Sequence, residues 1–191
     1  LRKHALFVFM VSILVSVQFS LTAAGINLLR DARYYIKSGF SPADLATDGD
    51  LQSWQLVIFQ NSNVRINFSR LKPQAVDSAA KDYSVAVTFL CSLSQYEMSD
   101  AWLTLSSIGQ NYEIFLNGRI VHREIYTDRD GVIIADRSAE NLSFYLPSRF
   151  FLNGRNTLLF HIVGYAKRRN TGIMNPQIVL LPEGSVPAAP K

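Results

Sequence analysis

Tyr112-Glu113-Ile114-Phe115-Leu116-Asn117-Gly118 and Phe150-Phe151-Leu152-Asn153-Gly154-Arg155-Asn156-Thr157-Leu158-Leu159-Phe160-His161-Ile162 are the stretches that decide the fold. The first drives an alternating apolar segment into an Asn-Gly pair, and the second leaves another Asn-Gly pair into an apolar run. Asn-Gly accepts the positive φ values that a tight hairpin corner demands, so the first motif predicts a strand, a two-residue turn and a return strand over Arg119 to Ile125. Gly154-Arg155-Asn156 does similar work at the entry to a later strand, Thr157 to Gly164. Read alone, both motifs only build turns.

Working outward, the rest of the chain also reads as β. Tyr83 to Cys91 alternates, with Tyr83, Val85, Val87 and Phe89 on one face and Ser84, Ala86, Thr88 and Leu90 on the other, which predicts a half-buried strand. Ala32 to Lys37 is a short strand. Gln52 to Gln60 and Val64 to Ser69 read as a strand pair joined through Asn61-Ser62-Asn63. Ala75 to Ala80 reads as a helical turn or loop. Ala101 to Ser107 leads through a Gly109-Gln110-Asn111 turn to Tyr112. A charged loop, Asp128-Arg129-Asp130-Gly131, precedes the apolar Val132-Ile133-Ile134. Leu142 to Leu146, stopped by Pro147, and Gln177 to Leu181 complete the series. Short strands with frequent turn signals and no long helical period predict an all-β antiparallel sandwich without internal repeats.

Taken in order, these pieces resemble a galactose-binding-like jelly-roll domain over most of residues 33 to 181. The resemblance rests on Tyr34-Tyr35-Ile36-Lys37-Ser38-Gly39, on Asp50-Leu51-Gln52-Ser53-Trp54, and on the aromatic-flanked strand from Tyr83 to Phe89. It continues through Ala101-Trp102-Leu103-Thr104-Leu105 leading to Tyr112 through Gly118, then Tyr145-Leu146-Pro147 with Gly154-Arg155-Asn156-Thr157-Leu158. It ends on Thr171-Gly172-Ile173 followed by Pro176, with Thr where the family has a first Gly. The resemblance implies a non-catalytic ligand-binding module, of carbohydrate type, as in the exported sensory domain of bacterial membrane signalling proteins or the sugar-binding domain of glycoside hydrolases. The alternatives are a structural or protein-interaction sandwich of the cell envelope, and an accessory domain of a sugar-processing enzyme.

The ends of the sequence suggest export. Arg2, Lys3 and His4 precede an apolar run from Ala5 to Val17, and Leu21-Thr22-Ala23-Ala24 offers small residues for cleavage. Residues 1–24 therefore read as a signal peptide, with a membrane anchor over residues 5–24 as the alternative. Gln18 favours cleavage. The expected organisation is this segment, a sandwich over residues 25–182, and a Pro- and Ala-rich tail or linker over residues 183–191, giving a periplasmic or extracellular location and a membrane or signalling partner.

The composition narrows the chemistry. With 19 Lys and Arg against 15 Asp and Glu the net charge is +4, dispersed without the dense basic block of a nucleic-acid arm. The single cysteine, Cys91, excludes a disulfide framework within the chain. No Gly-x-Ser-x-Gly elbow occurs, and the carboxylates cluster in one charged region rather than reading as an opposed pair, so the reading is against catalysis. Asp128-x-Asp130-Gly131 lacks the Gly and Glu positions of an EF-hand, which leaves only a structural calcium on loop carboxylates and carbonyls open, and no other cofactor is expected. Zinc lacks a ligand cluster.

Sugar recognition calls for an aromatic face and a few fixed polar groups. Strand alternation sends Trp102 away from the core-facing Leu103 and Leu105, sends Glu113 and Phe115 opposite Tyr112, Ile114 and Leu116, and sets His161 opposite Phe160 and Ile162. Such a face is either a ligand platform or a second buried face covered by loops. Arg119, His122 and Arg123 beyond the Asn-Gly corner, and Arg168 within Lys167-Arg168-Arg169, are candidate polar or anionic contacts, or a solvated basic rim. The candidate ligand-binding residues are thus Trp102, Phe115, Arg119, His122, His161 and Arg168.

Overall fold

A computed structural model describes residues 25–46, 50–59, 63–68, 80–91, 99–165, 168 and 171–181. The expected export segment, the tail, and the small-residue stretch before Ala80 lie outside the described residues. Among the described residues, twelve strands form two antiparallel sheets. In chain order they are β1 (Gly25–Ile26), β2 (Ala32–Ser38), β3 (Gln55–Val57), β4 (Arg65–Asn67), β5 (Lys81–Cys91) and β6 (Ala101–Gly109). They continue with β7 (Asn111–Leu116), β8 (Arg119–Glu124), β9 (Ala139–Leu146), β10 (Gly154–Gly164), β11 (Gly172–Met174) and β12 (Gln177–Leu180). One sheet runs β3-β2-β5-β10-β7-β8. In the other, β6 pairs with β9 on one side and with β11 and β12 on the other, and these lead to β4 and β1.

Both Asn-Gly motifs do what their chemistry predicts. Asn117 and Gly118 sit at φ 50° and 75°, and the hairpin they close pairs β7 with β8. Gly118 is also pressed against its surroundings, because a Cβ there would lie 2.5 Å from the Leu45 carbonyl oxygen. The second motif launches β10, which pairs with β5 along its whole length and with β7 on its other side. β10 is therefore the spine of its sheet. The core lies between the sheets, with Tyr34, Val85, Val87, Ile114, Leu116, Leu158 and Phe160 facing Leu103, Leu105, Ile108, Leu146, Ile173 and Ile178.

Several expectations change. Gln52 to Gln60 and Val64 to Ser69 are not a hairpin: β3 joins β2 in one sheet and β4 joins β11 in the other. Gly109-Gln110-Asn111 likewise does not fold β6 back on β7 but passes the chain from one sheet to the other. Gln110 and Asn111 are wholly buried there, and their side chains hold neighbouring loops by donating to Asp136 and to the Ala135 carbonyl. Val132-Ile133-Ile134 forms only an isolated bridge, Thr127 to Ile133.

β5 departs from the half-buried reading for a different reason. Residues 83–89 are buried on both faces, and exposure returns only toward the strand's ends, at Asp82 and Leu90. The β2–β3 connection folds back over the outer face, where Trp54 and the partly buried Phe40, Leu45 and Leu51 pack on Ala86, Phe115 and Leu159. Lys37 anchors this cover, with Nζ 2.5 Å from Asp44 and 4.8 Å from the centre of the Trp54 ring. Alternation reports only which residues share a face. It is silent on what covers that face.

Candidate functional site

A single bulge builds the most developed surface feature. After the Asn-Gly corner the hairpin pairs Leu116 with Arg119 and Phe115 with Ile120, but Ile114 then pairs with His122, so Val121 is an extra residue. In a regular ladder with no bulge, Val121 would stand opposite Ile114 and His122 would turn outward. The one-residue slip instead carries His122 and Glu124 to the side of Ile114 and Tyr112, at the edge of the sandwich. There His122 meets Tyr112 at 5.9 Å between ring centres and Phe144 of β9 at 4.7 Å.

These rings floor a groove of about 710 Å³ between β8 and β9, each an edge strand of its sheet. Its volume falls in the range of about 300–1,000 Å³ usual for small-ligand sites. Polar groups line it unevenly. Toward one end Glu124 lies 3.6 Å from His122 Nε2 and 3.7 Å from Arg137 Nε, and the Arg137 guanidinium sits 4.1 Å from the Tyr126 ring centre. Burial, reinforced by the Glu124 charge, pushes the Tyr112 hydroxyl up to about 12, so it stays a neutral donor. Asp136 is held below the usual carboxylate range: burial opposes this, but Ser138, Gln110 and Arg168 together outweigh it. Ser138 and Ser143 add hydroxyls, and Phe150 closes the other end.

The residues singled out from sequence are dispersed around this groove. His122 lines it. Arg119 stands at the Phe150 end, with its guanidinium 5.4 Å from that ring. Arg168 reaches it only through Asp136, 3.5 Å away, and lies over Tyr165. Trp102 is on the outer face of the other sheet, edge-on to Tyr145 at 5.8 Å.

Phe115 and His161 come together, but under cover. Phe40 stacks on His161 at 4.0 Å and on Phe115 at 6.1 Å. The second-buried-face reading therefore describes these two positions, and no open aromatic platform exists there. Beneath Phe40, His161 Nδ1 lies 2.8 Å from Glu113 and Nε2 2.7 Å from Asp82, while Arg123 Nε lies 3.3 Å from the other Glu113 oxygen. The ring thus has a carboxylate within hydrogen-bond distance of each nitrogen. This is a clamp across β7, β10 and β5, and its carboxylates are committed to it.

Among the described residues, no group of three or more His, Cys, Asp or Glu is arranged to hold a metal ion. In the loop considered for calcium, the Asp128 carboxylate accepts from the Asp130 and Val132 amides at 3.0 and 2.8 Å, so that oxygen closes its own turn. The Cys91 thiol is buried, which pushes it up to about 11.

Sequence reading missed the groove's other members. Phe144 and Phe150 carried the signal of aromatic residues beside Pro147 and a turn motif. Glu124 and Arg137 gave none, because their placement depends on the bulge and on the loop that Gln110 and Asn111 hold.

No protein-family model and no curated protein matches the chain. Solved structures do. A β-glycosidase from Bacteroides vulgatus matches with a TM-score of 0.54 at 13% identity, over 82% of this chain and 20% of that one. A glycosyl hydrolase family 2 member from Bacteroides cellulosilyticus matches at 0.52 and 11% identity, over 78% and 20%. A calcium-binding mutant of Bacteroides uniformis β-glucuronidase 2 matches at 0.50 and 14% identity, over 82% and 18%. The chain thus spans about a fifth of the length of these proteins. At such identities the likeness is one of fold, and that fold is the all-β sandwich implied by the resemblance to galactose-binding-like jelly rolls.

Proposed function

We propose that this chain is a non-catalytic carbohydrate-binding module, exported to the cell envelope, whose ligand lies in the groove between β8 and β9. The observation that carries the reading is the His122 ring, set against Tyr112 and Phe144 and bordered by Glu124 and Arg137. A pyranose has one apolar face and a rim of hydroxyls. The ring floor suits the face, and the carboxylate, guanidinium and serine groups suit the hydroxyls. The fold likeness to parts of glycoside hydrolases supports a sugar ligand, and the basic, apolar, small-residue pattern of residues 1–24 supports export. A role as the input domain of a signalling protein, or as an accessory domain of a sugar-processing enzyme, follows from the same binding event.

The test is a glycan array followed by isothermal titration calorimetry on the full chain. Binding of an oligosaccharide, weakened at least tenfold by His122→Ala with the thermal midpoint preserved, is the expected result. A blank array, with no heat from any sugar at millimolar concentration, rejects the proposal. In that case the protein-interaction reading takes its place, favoured by the exposed Leu56, Ile58 and Leu90 at 49%, 81% and 76% accessibility.

A further inference from the structure

The Phe150 end of the groove carries a feature that a neutral sugar leaves unused. Arg119 and Arg149 flank the same ring, with guanidinium carbons 5.4 and 5.3 Å from its centre, and Arg119 Nη1 donates to the Arg149 carbonyl at 3.0 Å. Both side chains are exposed, and among the described residues neither is in an ion pair. The carboxylate whose charge Arg149 does feel, Asp100, is already occupied by the Tyr145 hydroxyl and the Ser148 amide. Two guanidiniums therefore stand over the ring that closes the groove, with most of their donors unspent and open to an anion.

We propose that the groove selects an acidic oligosaccharide, and that Arg119 and Arg149 receive the carboxylate of a uronic acid residue. Rigid guanidinium forks match a planar carboxylate through paired, charge-assisted hydrogen bonds. Phe150 belongs both to the groove wall and to the arginine pair, so a sugar seated over His122 can extend its chain to that point. Away from Phe150, Glu124 and Asp136 are already paired with Arg137 and Arg168, so the uncompensated positive charge lies beside Phe150, which gives the ligand a direction. The inference rests on the reading of the groove as a carbohydrate site.

The experiment titrates the full chain with tetramers of galacturonate, glucuronate and alginate uronates, each as the free acid and as its methyl ester. Esterification removes the charge and keeps the ring. At least one free acid is expected to bind about ten- to a hundredfold more tightly than its ester, the worth of one or two hydrogen bonds to a charged group. The Arg119→Gln/Arg149→Gln double variant should bring that ratio close to one, and raising the salt to ~0.5 M should shrink it. His122→Ala should weaken acid and ester alike. A thermal midpoint on each variant establishes that it folds. Equal affinity for acid and ester, or a preference that survives in the double variant, overturns the proposal. Binding of neutral oligosaccharides with no uronate bound overturns the proposal while sparing the groove. Absence of any sugar binding overturns both.

Discussion

The side-chain amide of Asn117 donates to the side-chain oxygen of Asn156 at 2.7 Å, wiring one Asn-Gly motif to the other beside the β7–β10 pair. The network extends from both partners. Asn117 also donates to the Phe150 carbonyl at 2.9 Å and accepts from the Thr157 amide at 2.8 Å. Asn156, fully buried, accepts from the Leu152 amide and donates to the Leu152 and Gly154 carbonyls. Each asparagine thus fixes the other's turn, and the Phe150 wall of the groove hangs from the same network.

Replacing Asn156 by Ala takes the side-chain partner from the Leu152 amide and the Leu152 and Gly154 carbonyls, at a cost of up to about 1–3 kcal/mol for each group that water does not reach. Because both residues serve one network, the Asn117→Ala/Asn156→Ala double variant should lose less than the sum of the single losses, by about 0.5–3 kcal/mol. Urea denaturation of the four proteins of this cycle measures the coupling. Strict additivity would show that the two turns stand independently.

Gly118 is constrained twice, by its φ of 75° and by the Leu45 carbonyl oxygen 2.5 Å from where a Cβ would sit. Left-handed backbone alone costs a non-glycine residue about 1–2 kcal/mol. Gly118→Ala should exceed that figure in urea unfolding, because the oxygen it meets is backbone within the cover over Phe115. By contrast, Gly39→Ala, at φ 85° with open space around it, should show the dihedral cost alone. Equal losses at both positions would remove the close approach from the account.

The two turns, the alternation of β5, β6 and β10 and the division into inner and outer faces were legible in sequence, since each depends on local periodicity and turn chemistry. Three features were not. β3 and β4 look like a hairpin because short apolar runs around polar residues do, yet sheet membership depends on partners remote in the chain. Gln110 and Asn111 look like an exposed turn because polar residues usually are, yet here they are buried and their side-chain amides are spent on a loop carboxylate, Asp136, and a loop carbonyl, Ala135. His122 was singled out as a rim residue, and the bulge that carries it into the groove has no signature in Arg119-Ile120-Val121-His122 beyond one residue too many.

Acid should loosen the clamp beneath Phe40. The hydrogen bond from His161, helped by the imidazole's charge and opposed by burial, holds Asp82 below the usual carboxylate range. Its folded value lies below the unfolded one of ~3.9, so the stabilisation is complete above that pH and is lost as the pH falls through the depressed folded value. Asp82→Asn should therefore lower the urea midpoint at pH 7, and the gap from the parent should close as the pH falls from about 4 toward 2. A gap that stays constant over that range would separate Asp82 from the acid response.

The bulge itself can be tested by deletion. Removing Val121 leaves Ile114 opposite His122, Glu113 opposite Arg123 and Tyr112 opposite Glu124, now in regular register. Removing His122 instead leaves the outer two of those pairs and places Val121 opposite Ile114. The Val121 deletion should thus fold with a loss of about 1 kcal/mol, the scale of a partly buried aliphatic contact, and keep its imidazole beside Phe144. Ring-current-shifted imidazole protons in its NMR spectrum, matching those of the parent, would register that placement. The His122 deletion should fold comparably and lose sugar binding. Loss of the shifted resonances in the Val121 deletion would mean that the pairing of His122 with Ile114, which the bulge sets in the parent, does not by itself place the ring beside Phe144.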